Sequence, residues 1–311
     1  MTTAIAPGRP FYKSSEYIPQ ARKATDLTAA YPRQYTSGYH SLIKVLEEGS
    51  TSTVYLGVNP STNQKVAVKR LLVDKLSYSV AFGVMQQEIQ AHLALAEHPH
   101  SARLLCVELP GKSGGPPALV FEFYEQGDLL GFIPINIGLS EHIGRRAVKG
   151  IAEILSDMHE RSMVHRDIKA ENVCIGNDGL MKLIDFGSTI TLQGGEHLIL
   201  PRDLTVGTVP YMSAELLRGR AFQNMDLMAV DAWALGVFLF TVLTGRFPFQ
   251  QASPACKGFV RYAEICAGDN KEEELAHLWP TLSEDMLLIC MALLDLNPVL
   301  RMTAGEAYAL L

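Results

Sequence analysis

Early in the chain, three stretches alternate apolar and polar residues with the period of a strand. His40–Leu46 and Thr53–Val58 flank a Gly/Ser/Thr turn, and Lys65–Leu71 (KVAVKRL) follows, with Val and Ala expected inward and Lys outward. The period then becomes helical from about Val80 to Ala96, and Pro99 ends it. Arg103–Leu109 and Ala118–Phe123 read as two more strands, joined by the turn-rich GKSGGPP. After Gly127 helical spacing dominates. Ser140 is expected to cap a helix whose buried face carries Ile143, Ala147, Ile151, Leu155 and Met158. Ala232–Thr244 is apolar almost throughout, with Asp231 at its head. It is shorter than the roughly 20 residues a bilayer requires, so a helix buried inside a domain is expected. Ser283 opens another apolar-faced helix, and Thr303 with Glu306 forms a capping box for the last one.

Residues 1–36 differ from all of this. They are polar, broken by Pro7, Pro10, Pro19 and Pro32, and have no sustained period, which predicts a flexible or loosely docked extension. The rest, 37–311, reads as an α+β layout. A small strand-rich lobe with one helix (about 37–123) precedes a larger, mainly helical lobe (about 124–311).

Composition narrows the function classes. The chain has 311 residues, 48% hydrophobic and 19% charged, enough to bury a large core. A net charge of −6 argues against a nucleic-acid binder or a protein acting on anionic membranes. Cys106, Cys174, Cys256, Cys266 and Cys290 are scattered and odd in number, and the start shows no leader pattern. A reducing intracellular location, cytoplasmic or nuclear, is the expectation.

The residues that carry chemistry lie in two blocks. The first is His165–Arg166–Asp167–Ile168–Lys169–Ala170–Glu171–Asn172, and 13 residues beyond Asn172 comes Asp185–Phe186–Gly187. A turn rich in solvated charge does not explain so many fixed residues at fixed offsets. Together the blocks resemble the catalytic and magnesium loops of eukaryotic-type protein kinases. That resemblance implies a bilobal protein kinase-like fold, ATP and Mg²⁺ as cofactors, and protein substrates bearing Ser or Thr. Phosphoryl transfer needs a group to take the hydroxyl proton, cations to hold phosphates, and little else. Asp167 is the candidate base, Lys169 a positive clamp, and Asn172 and Asp185 are hard oxygen donors suited to Mg²⁺. A lone strand lysine usually faces solvent. The resemblance instead implies that Lys69, in VAVKR, holds the α- and β-phosphates and is fixed by Glu88, 19 residues on in QQEIQAHLAL.

The likeness extends from about residue 40 to Leu311, with one departure. The pattern G-x-G-x-x-G-x-V falls on Glu47–Glu48–Gly49–Ser50–Thr51–Ser52–Thr53–Val54, keeping only Gly49 and Val54. Glu47 adds bulk and negative charge beside an anionic ligand, which implies reduced ATP affinity. Leu46, Val54 and Ala67 are expected to roof the adenine and Cys174 to floor it. Phe121–Glu122–Phe123–Tyr124 resembles the hinge, with backbone groups of Glu122 and Tyr124 bonding the adenine edge. Asp128 either reaches ribose or a basic substrate residue, or is a plain turn or helix-cap aspartate. Gly207–Glu215 resembles the substrate-receiving segment, with Glu215 expected to pair with Arg301 and Asp231 to accept backbone N–H bonds from the catalytic loop.

The form D-I-K-A-E-N and Thr208 point to Ser/Thr substrates, and an acidic rim of Glu171 and Asp128 hints at basic residues before the target. Arg166 is expected to meet a phosphate on Thr205 or the fixed charge of Asp203. Two other patterns are set aside. Gly111–Lys112–Ser113 has Cys106 where a Walker loop needs its leading glycine, and His98–Pro99–His100 fits a connecting loop better than a metal pair. The competing reading is a kinase-like scaffold that binds nucleotide or partners without useful turnover, and the reduced glycine loop is its support. A small-molecule kinase is disfavoured by the peptide-directed segment around Thr208.

Overall fold

The computed structural model describes residues 40–49, 52–72, 78–109, 116–192, 207–218 and 225–311. The expectations for residues 1–36, for Asp203 and Thr205, and for Gly111–Ser113 lie outside them.

The N-terminal region is a five-stranded antiparallel sheet in the order β1-β2-β3-β5-β4. Its strands are β1 (Ser41–Glu48), β2 (Ser52–Val58), β3 (Lys65–Leu71), β4 (Leu104–Glu108) and β5 (Ala118–Glu122). Side chains alternate across a pleated strand, so each strand feeds two faces. Val66, Val68, Ala118 and Val120 build one apolar cluster on one side. Leu71, Leu119 and Phe121 build another on the opposite side, against Phe82, Met85 and Ile89 of α1 (Tyr78–Ala94). Ala67 packs on this second cluster. Because both faces are covered, Val and Ala do not share an inner face as expected. Ala67, Lys69 and Leu71 point toward the helix side and the valines away from it.

On the outer side of the sheet the chain enters through His40. Its backbone N–H and Nδ1 meet Glu108 Oε1 at 2.9 and 2.6 Å, and both residues are buried.

The C-terminal region is helical: α2 (Glu141–Glu160), α3 (Ala214–Arg218), α4 (Leu227–Thr244), α5 (Lys257–Cys266), α6 (Lys271–Leu278), α7 (Glu284–Leu293) and α8 (Ala304–Leu310). Two small sheets, β6 (Met163–Val164) with β9 (Ile190–Thr191) and β7 (Val173–Ile175) with β8 (Met181–Leu183), carry the loops of interest. Ala147, Ile151, Leu155 and Met158 are buried as the helical spacing requires, but Ile143 is exposed. At that turn the buried face runs through Gly144, where a side chain would strike Leu243. Ser140 makes no side-chain cap bond, whereas Ser283 caps α7 and Thr303–Glu306 form the full capping box.

α4 starts earlier than its apolar run suggested. Asp226 caps it, accepting from the N–H groups of Met228 and Ala229, so Asp231 lies one turn in. By length and composition alone its 18 residues could cross a membrane, yet 94% of that stretch is buried within the fold. It ends at Gly245, whose φ of 67° and closeness to the Pro134 carbonyl leave no room for a side chain.

Candidate active site

The site is assembled where the sheet meets the helical region. β3 presents Lys69 on the face that packs against α1, and α1 presents Glu88 toward it. Their Nζ and Oε1 atoms lie 2.7 Å apart, and Lys69 Nζ also reaches Asp185 Oδ1 at 2.8 Å. Asp185 Oδ1 accepts a second bond from the Gly187 N–H at 2.8 Å. Burial works against the charge on Lys69, but Asp185 and Glu88 outweigh it and hold the ammonium well above its usual range. Desolvation also works against the Asp185 anion, yet Lys69 and the Gly187 N–H keep its carboxyl well below the usual carboxylate range. Glu88 is pushed up, first by burial and then by the Asp185 charge, with Lys69 opposing.

Below this triad the 165–172 loop is held from underneath. Asp231, fully buried on α4, accepts the backbone N–H groups of His165 and Arg166, both at 2.7 Å, and faces His159 Nε2 at 3.1 Å. Arg166 adopts φ 70°, a left-handed turn that such bonds can over-determine. The turn delivers Asp167 to the surface of the cleft. Its carboxylate meets Lys169 Nζ at 2.8 Å, Thr208 Oγ1 at 3.2 Å and Asn172 Nδ2 at 3.0 Å. Lys169 Nζ in turn donates to Thr208 Oγ1 at 3.1 Å. Asp167, Lys169, Asn172 and Thr208 thus converge from two segments far apart in the chain.

The donor set suits a hard divalent ion. Asp185 keeps a solvent-facing side and its Oδ2 makes no hydrogen bond among the described residues, and Asn172, with Nδ2 turned to Asp167, has Oδ1 to offer. No group of three or more His, Cys, Asp or Glu is placed to hold a metal among the described residues. Asp185 and Asn172 thus offer carboxylate and amide oxygens, a donor type that suits Mg²⁺, an ion that commonly takes further ligands from phosphates and water.

The other expected residues surround this centre unevenly. Ala67 pairs with Phe121 across β3 and β5, and Val54 pairs with Lys69 across β2 and β3. Leu46 sits at a bulge in β1 between the pairs Val45↔Tyr55 and Glu47↔Val54, and is partly exposed. Gly49 closes the β1–β2 turn with its N–H on the Ser52 carbonyl at 2.8 Å. Ser50 and Thr51 lie outside the described residues.

At the hinge, the Glu122 N–H is already bonded to the Arg103 carbonyl, and the Tyr124 carbonyl accepts from Gly127. The Tyr124 N–H has no backbone partner among the described residues. Cys174 packs with Ala102 and Tyr124 as a buried floor. Burial first, then the carboxylates of Asp128 and Glu47, push its thiol up to about 12. Asp128 Oδ1 accepts from the Gly131 N–H at 3.0 Å, the turn-capping bond of its plainer alternative.

The sequence reading passed over His92. It lies four residues beyond Glu88 and so on the same face of α1, which was the available signal. It is buried, its Nδ1 meets the Ala102 carbonyl at 3.2 Å, and its ring packs 4.8 Å from Phe121 and 4.5 Å from Phe186. Phe186 also meets His165 edge-on at 5.4 Å, so a row of tilted ring contacts links α1 to the catalytic loop. Burial and the nearby Lys69 charge pull the His92 imidazole down to about 3, which keeps it neutral.

The protein kinase domain family matches residues 40–310, and the chain belongs to that family. It is similar to the SNF-related serine/threonine-protein kinase of Rattus norvegicus, 33% identical over 231 residues that cover 72% of this chain and 29% of that protein. The serine/threonine-protein kinase SBK1 of Mus musculus is 30% identical over 278 residues, 88% of this chain and 63% of its own length. The serine/threonine-protein kinase grp of Drosophila melanogaster is 28% identical over 278 residues, 88% of this chain and 50% of that protein. The chain thus spans less than two thirds of each of these relatives. All three relatives are named as serine/threonine-protein kinases.

Proposed function

We propose that this chain is a competent enzyme that transfers the γ-phosphate of ATP, with Mg²⁺, to Ser and Thr hydroxyls of protein substrates. The observation that carries this reading is the convergence of Lys69, Glu88 and Asp185 in one bonded triad beside the Asp167–Lys169–Thr208 cluster. Bound Mg-ATP supplies the phosphoryl group and the metal charge that offsets its oxygens. Lys69, anchored by Glu88, offers its ammonium to the α- and β-phosphates. Asp185 and Asn172 offer oxygens to the metal. Asp167 orients the acceptor hydroxyl and takes its proton, while Lys169 keeps positive charge beside the transferring group. Lys169 is held in its charged form: burial opposes the charge, but its bond to Asp167 outweighs that. Leu46, Gly49, Val54 and Ala67 would enclose the base, Tyr124 would donate its N–H to the base edge with Glu122 beside it, and Asp128 would reach the ribose.

An intracellular location, cytoplasmic or nuclear, fits five cysteines that are all unbridged. A net charge of −6 speaks for basic protein segments, and against nucleic acid or membrane, as targets.

One observation favours the scaffold reading. Glu47 stands where a glycine is usual, and its charge is felt at the cleft floor by Cys174. The deciding measurement is transfer from Mg-ATP to a mixed basic peptide set, beside nucleotide binding by thermal shift. Ser/Thr phosphorylation that vanishes in Asp167→Asn is expected, together with stabilisation of about 2.7 kcal/mol at 100 times the Kd. Stabilisation without any transfer would favour the scaffold, or an enzyme that awaits its activator.

A further inference from the structure

Away from the cleft, a cavity of ≈ 220 Å³ opens between the last turn of α1 and the start of β4. Leu93, Ala96, Leu104 and Leu105 give it apolar walls, and His92, the buried member of the lining, closes its inner end. Glu97 and Arg103 also line it and are exposed, which places them at its mouth. Neither side chain has an ion-pair or hydrogen-bond partner among the described residues, and the two do not pair with each other. The Arg103 backbone is fixed on both sides. Its N–H donates to Tyr124 Oη at 3.3 Å, and its carbonyl accepts from the Glu122 N–H at 3.0 Å.

An unpaired cation and an unpaired anion beside an apolar recess are complementary to a small molecule that carries a carboxylate and an ammonium on a hydrocarbon body. Arginine receives a carboxylate through two parallel N–H bonds, and a glutamate accepts from an ammonium. The imidazole of His92, pulled down to about 3, is neutral and competes for neither charge. Size narrows the class further. Sites for drug-sized ligands run to roughly 300–1,000 Å³, so this smaller one suits a molecule the size of one amino acid.

We propose that this cavity is a binding site for a free α-amino acid with an apolar side chain. Its carboxylate would rest on Arg103, its ammonium on Glu97 and its side chain against Leu93, Leu104 and Leu105. The site adjoins the row of rings that leads to the catalytic loop. His92 is held by one bond, from Nδ1 to the Ala102 carbonyl, and its Nε2 has no partner among the described residues. The same ring touches Phe121 and Phe186. A ligand seated in the cavity thus packs one ring away from Phe186, the neighbour of Asp185.

The test titrates the full chain with L-leucine by calorimetry, beside isocaproate, which lacks the ammonium, and isoamylamine, which lacks the carboxylate. Saturable binding of leucine is expected, with each analogue at least about tenfold weaker. Arg103→Ala and Glu97→Ala, both at exposed positions, should each weaken leucine about tenfold and leave the thermal midpoint unchanged. Photo-leucine, an analogue with a light-activated diazirine, should label residues within 92–105 in the wild type, and leucine should compete that label away. Absence of leucine binding would overturn the inference. So would analogues that bind as tightly as leucine, variants that bind as the wild type does, or label confined to other segments. None of these readouts involves phosphoryl transfer, so their failure is distinct from failure of the proposed enzymatic activity.

Discussion

Lys69 and Asp185 hold each other's charge, and the signs of their shifts set a pH window. Asp185 is depressed in the folded state, so its contribution is present above the unfolded carboxylate value and is lost as pH falls through the folded one. Lys69 is raised, so its contribution is present below the unfolded lysine value and is lost as pH rises through the folded one. The stability difference between wild type and Asp185→Asn should therefore be flat from about pH 5 to 10 and shrink below about pH 4, measured by urea unfolding. Cys174 offers a sharper check. With its thiol pushed up to about 12, alkylation at pH 8 should run about a thousandfold slower than for an ordinary cysteine, read by mass spectrometry. At this scale some contacts were legible in the sequence, Lys69 with Glu88 and Glu215 with Arg301 among them, but the face of β3 that carries Lys69 was not. Lys69 looked outward-facing by strand alternation alone, because alternation cannot say that both faces of a sheet are covered. The turn-capping bond of Asp128 is legible in the sequence because Asp near a turn makes such bonds locally.

Elements whose ends depend on neighbouring residues were legible, and those set by distant packing were not. The Thr303–Glu306 box spans three residues and could be read directly. The two register shifts in β1 depend on its pairing with β2, and no pattern within β1 announces them. α4 is the exception: a local cap, Asp226, adds a turn before its apolar run and was passed over, while Asp231 serves the catalytic loop. The expected Glu215–Arg301 pair is present and shows how α3 is tied to the loop before α8. Arg301 meets Glu215 at 2.6 and 3.2 Å, donates to the carbonyls of Ala229 and Asp295, and lies over the Trp233 ring. A lysine has one point charge where this site uses a fork. Arg301→Lys is expected to cost about 3 kcal/mol in urea unfolding, since it leaves buried acceptors unmet.

Across the whole molecule, the two regions share a cleft whose chemistry comes from both. β3 and α1 supply Lys69 and Glu88, and the helical region supplies Asp167, Asn172 and Asp185. The bilobal layout could be read from the change of period at Gly127, because a switch from alternation to helical spacing reflects which faces must be buried. The row of ring contacts through His92 could not, since it joins side chains from α1, β5 and two loops. His40 brings a different consequence. Its bonds to Glu108 make it, among the described residues, the first on which the sheet depends, one position before β1 starts. A shortened chain that starts at Gly38 retains this clasp, whereas one that starts at Ser41 strands a carboxylate in an apolar setting. The second should melt lower, by about 2–4 kcal/mol of unfolding free energy, although the two differ by three residues. Loss of His40 is thus felt through a side-chain contact rather than through the edge of a strand.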